Sequence, residues 1–194
     1  MIKSIADRET EEVLDDPRGD EENRDALRVT FLDVGHASCA LVEFPGGKRM
    51  LIDGGGSYND RFDMGRHVVA PFLWHERIGT IDTVVLTHPH PDHANGLPYI
   101  LDNFDVKEVW TNGDEALVDS GAALTETMRR KGIAPRLLSS KSAPVDIGGV
   151  RIRVLNPGTG PSADTVLSDR EINERSLVLH LRWGETAFLL PSDI

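Results

Sequence analysis

The first half of the chain has a hydrophobic pattern that predicts three short strands joined by tight turns. Residues 27–34 (L-R-V-T-F-L-D-V) alternate between apolar and polar positions and are rich in β-branched side chains, as expected of a half-buried strand. Apolar runs at 39–44 and 49–53 follow, with the turn sequence P-G-G-K at 45–48 between them. Because short turns connect neighbouring antiparallel strands, we predict an antiparallel meander.

The pattern then changes to alternating helices and strands. Residues 64–77 carry apolar side chains at helical spacing, and Pro71 is expected to kink or break this helix. Residues 81–87 form a nearly continuous apolar run, typical of a strand buried on both faces. Further helices are predicted at 93–103 and 118–131, and further strands at 107–110, 135–139, 150–155, 176–183 and 186–191. This order favours an α/β sandwich with its sheets inside and its helices outside.

Composition and charge narrow the class of protein. The 194-residue chain has a formal net charge of −11, and residues 1–27 alone carry ten acidic and four basic side chains. Few apolar residues lie there, so we predict a disordered acidic tail at 1–27 followed by one domain at 28–194. No apolar run approaches the ~18 residues that span a bilayer, and no secretory signal is visible. The single cysteine, Cys39, suits a reducing compartment, and we expect it to be a buried strand residue in a cytoplasmic protein.

Residues 87–93 (T-H-P-H-P-D-H) concentrate potential metal ligands at the end of the predicted buried strand. His88 and His90 are two positions apart, so both side chains can project to the same side, and Pro89 and Pro91 are expected to keep the His-Pro-His-Pro run extended. Asp92 and His93 follow where the chain turns into a helix. Imidazole and carboxylate groups bind zinc, and also iron or manganese. A histidine-rich surface turn is the competing interpretation, but the position at a strand end of an α/β pattern favours a centre for one or two metal ions.

At these residues the chain resembles the metallo-β-lactamase-fold hydrolases, whose hallmark is H-x-H-x-D-H at the end of a strand. The resemblance extends across roughly residues 28–194, and it is strongest towards the hydrolase domain attached to ComEC-type competence channels and its stand-alone relatives. It implies a metallo-β-lactamase-like αββα sandwich. The segments that carry it occur in the expected order, at 29–36, 45–55, 84–97, 173–179 and 188–194.

The resemblance also implies a role for each ligand. His88 and His90 would bind the first metal, Asp92 and His93 would bind the second, and Asp193 would bridge both. Asp92 and Asp193 are the expected catalytic residues, since Asp92 could also accept the proton of an attacking water. Zinc is the expected metal, and manganese is the alternative.

Three further residues are candidates for support or for substrate contact. Asp53, in I-D-G-G-G, would orient the ligands; the glycines at 54–56 indicate close backbone approach, because no G-K-[ST] follows them. Asn173 stands where many family members carry another histidine, and its harder amide oxygen would favour manganese. His36, in the turn after the first strand, would line the site. The stretch 156–172 is rich in Pro, Gly, Ser and Asp and is predicted to be a mobile loop near it.

These features predict a metal-dependent hydrolase in which a metal-activated hydroxide attacks an ester-like electrophile. The resemblance favours a phosphodiester, in nucleic acid or in a small molecule, although an acidic chain lacks the basic surface that drives non-specific nucleic-acid binding. A lactone, thioester or β-lactam is the alternative substrate. Family members continue to a last histidine ligand, whereas this chain stops at Ile194, so we expect a truncated domain. A non-catalytic module that binds metal or a partner is therefore the alternative from another class.

Overall fold

The computed structural model describes residues 25–57, 62–116, 118–158 and 167–194, which form two β-sheets packed against each other. The predicted disordered tail lies outside these residues except for its last three positions. Leu27, at its end, is half-buried and packs against the core between the sheets. None of the helices in the described ranges has the length and apolar character needed to cross a membrane.

The first sheet has six strands arranged in their order along the chain. The first three strands form the predicted antiparallel meander, and the remaining three continue the sheet in parallel. The carboxyl ends of the parallel strands therefore lie along one edge of the sheet. The strands are β1 (Arg28–Phe31), β2 (Ala40–Glu43), β3 (Arg49–Ile52), β4 (Thr80–Val85), β5 (Asp105–Thr111) and β6 (Arg136–Leu137).

The second sheet is antiparallel and has the order β10-β9-β8-β7. Three of its strands were predicted, whereas the short strand V-D-I was missed because three residues give no readable alternation. Its buried apolar residues pack against those of β2, β3 and β5, so that the main core between the sheets includes Trp110 and Phe44. The strands are β7 (Val145–Ile147), β8 (Val150–Asn156), β9 (Val178–Trp183) and β10 (Thr186–Leu190).

Helices cover the other face of the first sheet, where a second apolar cluster joins strand residues to helical ones. The predicted α/β sandwich is therefore confirmed. The helices are α1 (Ala70–His75), α2 (Pro91–Ala94), α3 (Leu97–Asn103), α4 (Ala122–Lys131) and α5 (Asp169–Glu174), with a π turn at Gly65–Val69 and 3-10 turns at Asp114–Ala116 and Asp119–Gly121.

Two helix predictions and one loop prediction need correction. The disturbance expected at Pro71 takes the form of the π turn before α1, and Pro71 itself lies in the first turn of α1, where its missing N–H is tolerated. The helix predicted at 93–103 is two helices, of which α2 begins at Pro91 and α3 begins directly after Gly96. The loop predicted at 156–172 contains the start of α5, which Ser168 and Glu171 begin as a capping box; residues 159–166 lie outside the described ranges.

Glycines allow the loop after β3 to lie directly against the backbone of α2 and α3, as the sequence predicted for 54–56. A Cβ added at Gly56 would lie 2.1 Å from the Pro91 carbonyl oxygen, and one added at Gly96 would lie 2.0 Å from the Gly54 carbonyl oxygen. Hydrogen bonds join the same segments, since the Gly54 amide donates to the His93 carbonyl at 2.8 Å. The loop that follows Asp53 is thereby fixed to the helix that carries His93.

This close contact predicts that Gly96→Ala lowers the free energy of unfolding by about 1–3 kcal/mol, because a backbone oxygen cannot move aside as a side chain can. Urea-induced unfolding measures the effect. Gly79→Ala is the matched control, because a Cβ at Gly79 meets no atom of the described residues within 4 Å. Equal stability of the two variants would contradict the role assigned to the contact.

Candidate metal centre

The histidine motif lies at the carboxyl edge of the first sheet and is buried. His88, His90 and His93 are 0%, 6% and 2% exposed, respectively. His90 has an extended backbone, with φ −67° and ψ 149°, and Pro91 begins α2 directly after it. The extended backbone predicted for this run is present at His90, whereas Pro91, which was expected to continue the extended run, is the first residue of the helix.

One pair of ligand atoms is formed by the first two histidines. His88 Nε2 and His90 Nδ1 are 3.2 Å apart. Two ligands that each lie ~2.1 Å from a tetrahedral zinc are about 3.4 Å from each other. The two nitrogens are thus spaced as neighbouring ligands of one ion would be.

A second group forms around the third histidine. His93 Nε2 lies 3.4 Å from Asp193 Oδ1 and 3.9 Å from Asp92 Oδ2. The other Asp92 oxygen, Oδ1, is buried and has no hydrogen-bond partner among the described residues. A buried carboxylate oxygen is expected to have a partner, so an unpartnered one beside imidazoles fits a cation.

Ligand atoms of His88, His93 and Asp193 all lie within 4.8 Å of one another, so the two groups belong to one cluster. The donor set of imidazoles and carboxylates fits a divalent ion such as zinc or manganese. The division of these residues between two ions stays a prediction.

Asp53 supports this cluster from the end of β3. It is 1% exposed, and its carboxylate accepts hydrogen bonds from the Thr87 amide at 2.8 Å, from the Thr87 hydroxyl at 2.9 Å and from His93 Nδ1 at 2.8 Å. A carboxylate only accepts hydrogen bonds, so Nδ1 of His93 carries the proton and Nε2 is left with its lone pair facing Asp193. Asp53 has a φ of 59°, a strained value that places the carboxylate here.

Two hydroxyl groups connect His88 to Asp53 and give His88 the same tautomer as His93, with the proton on Nδ1. Its Nδ1 lies 3.2 Å from Ser192 Oγ, which donates to Thr87 Oγ1 at 2.9 Å, and Thr87 in turn donates to Asp53. Because the hydroxyl hydrogens of Ser192 and Thr87 are both donated towards Asp53, the hydrogen between Ser192 and His88 belongs to Nδ1 of His88. Nε2 of His88 is then left to bind a metal. Asp53 therefore sets the tautomers of both His93 and His88.

The surroundings of the cluster favour a positive charge on His93 and a neutral imidazole on His88. Burial, followed by the charges of His93 and His90, lowers the pKa of His88 to about 2. Burial also acts to lower the pKa of His93, but the hydrogen bond to Asp53 and the charges of the nearby aspartates outweigh it and raise this pKa. A cation at the His93 end would be attracted by the same carboxylates.

The remaining candidates differ in their relation to the cluster. Asn173 is half-buried on α5, and its Oδ1 is buried without a hydrogen-bond partner in the described ranges. His36 is exposed in the turn after β1 and is not part of the ligand cluster found among the described residues. Roles for Asn173 and His36 in substrate contact stay predictions. Cys39 is 3% exposed, and burial followed by the charge of Asp53 raises the pKa of its thiol, which fits a structural residue.

Sequence reasoning missed several residues around the cluster. Thr87 begins the histidine motif and Ser192 precedes Asp193, so both stood in segments already singled out for other reasons. Asp169 Oδ1 lies 3.7 Å from His90 Nε2; the capping box could have indicated the start of α5, but no local pattern indicated this contact. The buried ion pair of Asp114 with Arg175 had no local signal, because these residues are 61 positions apart.

Glu115 is a buried acid beside that pair. It is 3% exposed, and its Oε2 has no hydrogen-bond partner within the described ranges. Burial raises the pKa of Glu115 and exceeds the opposing effect of a hydrogen bond from Thr111. The folded state therefore binds this proton more tightly than the unfolded chain does, so the stabilisation is present at low pH and is lost as the pH rises from the ordinary glutamate value to the raised one.

Glu115→Gln is expected to remove the loss of stability that the buried Glu115 carboxyl causes as the pH rises. Compared with the unmodified chain, the variant should be more stable by roughly 1 kcal/mol at about pH 8 and similar at about pH 4, because an uncharged amide costs less to bury than a carboxylate. Urea unfolding of the metal-free proteins at both pH values measures the difference. A variant that is less stable at both would show that the carboxylate is stabilising.

Comparison with known proteins agrees with this architecture. The family model described as the metallo-beta-lactamase superfamily matches residues 32–186. ComE operon protein 3 of Bacillus subtilis (strain 168) is 25% identical over 177 residues, covering 86% of this chain and 22% of the relative. The chain thus spans about a fifth of the length of that curated relative.

Two solved structures are similar to this chain at low sequence identity. A metallo-beta-lactamase with an HARLDQ motif from Cronobacter sakazakii (Enterobacter sakazakii) has a TM-score of 0.50 and 14% identity, over 83% of this chain and 54% of that one. The diiron beta-hydroxylase CmlA from Streptomyces venezuelae has a TM-score of 0.48 and 20% identity, over 84% of this chain and 29% of that one. With a family model that matches most of its length, the chain belongs to the metallo-beta-lactamase superfamily.

Proposed function

We propose that this domain is a metal-dependent hydrolase that cleaves a phosphodiester. The observation that carries the proposal is the pair of adjoining ligand groups, in which His88 Nε2 and His90 Nδ1 are 3.2 Å apart and His93 Nε2 and Asp193 Oδ1 are 3.4 Å apart. A divalent ion held there supplies a water of lowered pKa and a positive charge for the oxygen on which negative charge develops. Superfamily membership supports hydrolysis as the class of reaction.

The residues of the chain have separate tasks in this proposal. Asp53 holds the Nδ1 protons of the histidines away from the cleft, so that the Nε2 atoms of His88 and His93 stay basic. The buried Oδ1 of Asp92 is the oxygen available to a cation, and its other oxygen, Oδ2, accepts the proton of the attacking water. Asp193 has a side chain that is 41% exposed, so it lies where the cleft opens to solvent and where substrate would arrive.

The charges of the cleft support a requirement for metal in substrate binding as well as in chemistry. Asp92, Asp169 and Asp193 all approach the histidines, and a phosphodiester would be repelled by three carboxylates. Cations bound between them would reverse this field. The choice of a phosphodiester rests on the resemblance to the ComEC-type hydrolase domain, and the metal is proposed to be zinc, or manganese if the Asn173 amide takes part.

Assays on a panel of substrates test the proposal. Bis-p-nitrophenyl phosphate, a lactone, a thioester and a chromogenic β-lactam are each offered with added zinc or manganese. We expect turnover of the phosphodiester that a chelator removes and that His90→Ala abolishes. Turnover confined to one of the other substrates would change the proposed substrate class, and no chelator-sensitive turnover of any of them would contradict a hydrolase.

A further inference from the structure

The short helix α5 presents one face to the histidine motif. Asp169 and Asn173 are four positions apart and therefore lie on the same side of the helix. Asp169 Oδ1 is 3.7 Å from His90 Nε2, which shows that this side faces the ligands. The Oδ1 atom of Asn173 is buried, so bulk water does not reach it, and it has no hydrogen-bond partner among the described residues.

The backbone that follows Asn173 is held in place from two directions. Asn156 on β8 donates its side-chain amide to the carbonyl oxygens of Glu174 at 2.9 Å and Ser176 at 2.8 Å. The Leu177 amide donates to the Thr87 carbonyl at 2.9 Å, which joins this segment to the residue before His88. The end of α5 is thus tied to both sheets, close to the metal ligands.

A buried ion pair completes this attachment. Arg175 donates from Nε and from a terminal guanidinium nitrogen to the two oxygens of Asp114, each at 2.9 Å. Asp114 is fully buried, and Arg175 has a side chain that is 21% exposed. Asn112 joins the two, since its amide donates to Asp114 Oδ2 at 2.8 Å and to the Arg175 carbonyl at 2.9 Å.

The Asp114–Arg175 pair is better explained by a positioning role than by a contribution to the stability of the fold. Burying two charges costs desolvation energy that the attraction between them only partly offsets, so such a pair is weak evidence of stabilisation. The bidentate geometry does fix how the Arg175 side chain is oriented relative to Asp114, because the planar guanidinium and the carboxylate meet in one orientation. That orientation sets the turn directly after Asn173.

We propose that the Asp114–Arg175 pair positions Asn173, so that the Asn173 amide oxygen is presented to the metal centre beside His90. Asp114 and Arg175 themselves bind neither metal nor substrate and are positioning residues. Loss of the pair lets the turn relax, and the amide oxygen then finds other partners and leaves the cleft. This inference rests on the proposed function, because it requires that a metal ion occupies the histidine cluster.

A double-mutant cycle on metal affinity tests the proposal without relying on activity. The full chain, Asp114→Asn, Asn173→Ala and the double variant are titrated with zinc and with manganese, in competition with a chromogenic chelator. We expect each single variant to weaken the binding of one ion by about 10-fold, and the double variant to be no weaker than Asn173→Ala. Asn173→Asp, which keeps an oxygen at this position, should retain the affinity.

Arg170→Gln is the matched control, because Arg170 pairs with Glu174 on the exposed side of the same helix. It should leave metal affinity unchanged. If Asp114→Asn fails to fold, Arg175→Lys keeps the charge and removes the bidentate geometry, and it takes the same place in the cycle.

The outcomes distinguish a failure of the positioning role from a failure of the proposed function. Equal weakening by Asp114→Asn with and without the Asn173 side chain would overturn the positioning role, as would full affinity in Asn173→Ala. Absence of any metal binding by the unmodified chain would instead contradict the proposed function from which this inference starts.

Discussion

His93→Ala is expected to remove metal-dependent hydrolysis almost completely, with a loss of more than about 100-fold in turnover. Changes to the partners of metal ligands already cost ~10–100-fold, and His93 is at the centre of its group, facing both Asp193 and Asp92. Its removal also leaves Asp53 without one of its hydrogen-bond donors. Steady-state hydrolysis of bis-p-nitrophenyl phosphate and the metal content of the purified variant measure the two effects.

The control for this substitution is His75→Ala, since His75 is exposed at the end of α1 and is not part of the ligand cluster found among the described residues. It should retain both activity and metal. A His93→Ala protein that keeps its metal and hydrolyses at the unmodified rate would contradict the assignment of His93 as a ligand. Circular dichroism of both variants establishes that the fold is retained.

Asp53→Ala is expected to lower the free energy of unfolding by about 2–4 kcal/mol and to weaken metal binding by roughly 10–100-fold. Three donors lose their acceptor in a site that is 1% exposed, and buried donors without partners are costly. The tautomers of His88 and His93 are also no longer fixed. Urea unfolding and metal titration report these two consequences separately.

Two further variants at this position separate the backbone from the side chain. Asp53→Gly removes the carboxylate but accepts the positive φ of 59° without strain, so it should be less destabilised than Asp53→Ala. Asp53→Asn keeps the shape and tolerates this φ, but its amide cannot accept from all three donors. Metal affinity in Asp53→Asn equal to that of the unmodified chain would show that the negative charge is not needed.

The parts of the fold that the sequence predicted are those with strong local patterns. The meander followed from three apolar runs with tight turns, and β4 followed from its nearly continuous apolar run. β7 has only three residues, too few for a pattern. α5 was missed because its composition is polar and its surroundings are rich in turn residues, although the capping box of Ser168 and Glu171 was a readable start signal.

The candidate site divides in the same way. The closeness of His88 to His90 follows from a spacing of two residues in an extended run. The approach of Asp193 to His93 joins residues 100 positions apart, and only the resemblance to a family indicated it. The pair of Asp114 with Arg175 and the hydroxyl chain through Ser192 depend on how β5, α5 and the end of β10 meet, and no local pattern encodes that meeting. His36 lies exposed in the turn after β1 and outside the ligand cluster found among the described residues, so its role in substrate contact stays a prediction.

Elemental analysis after incubation with zinc or manganese and removal of free ions measures directly whether the histidine cluster holds metal. We expect one or two divalent ions per chain in the unmodified protein and in His75→Ala, and fewer in His88→Ala and His93→Ala, with phosphodiester hydrolysis following the metal content. A folded protein that retains no metal above the level of His93→Ala would contradict this expectation.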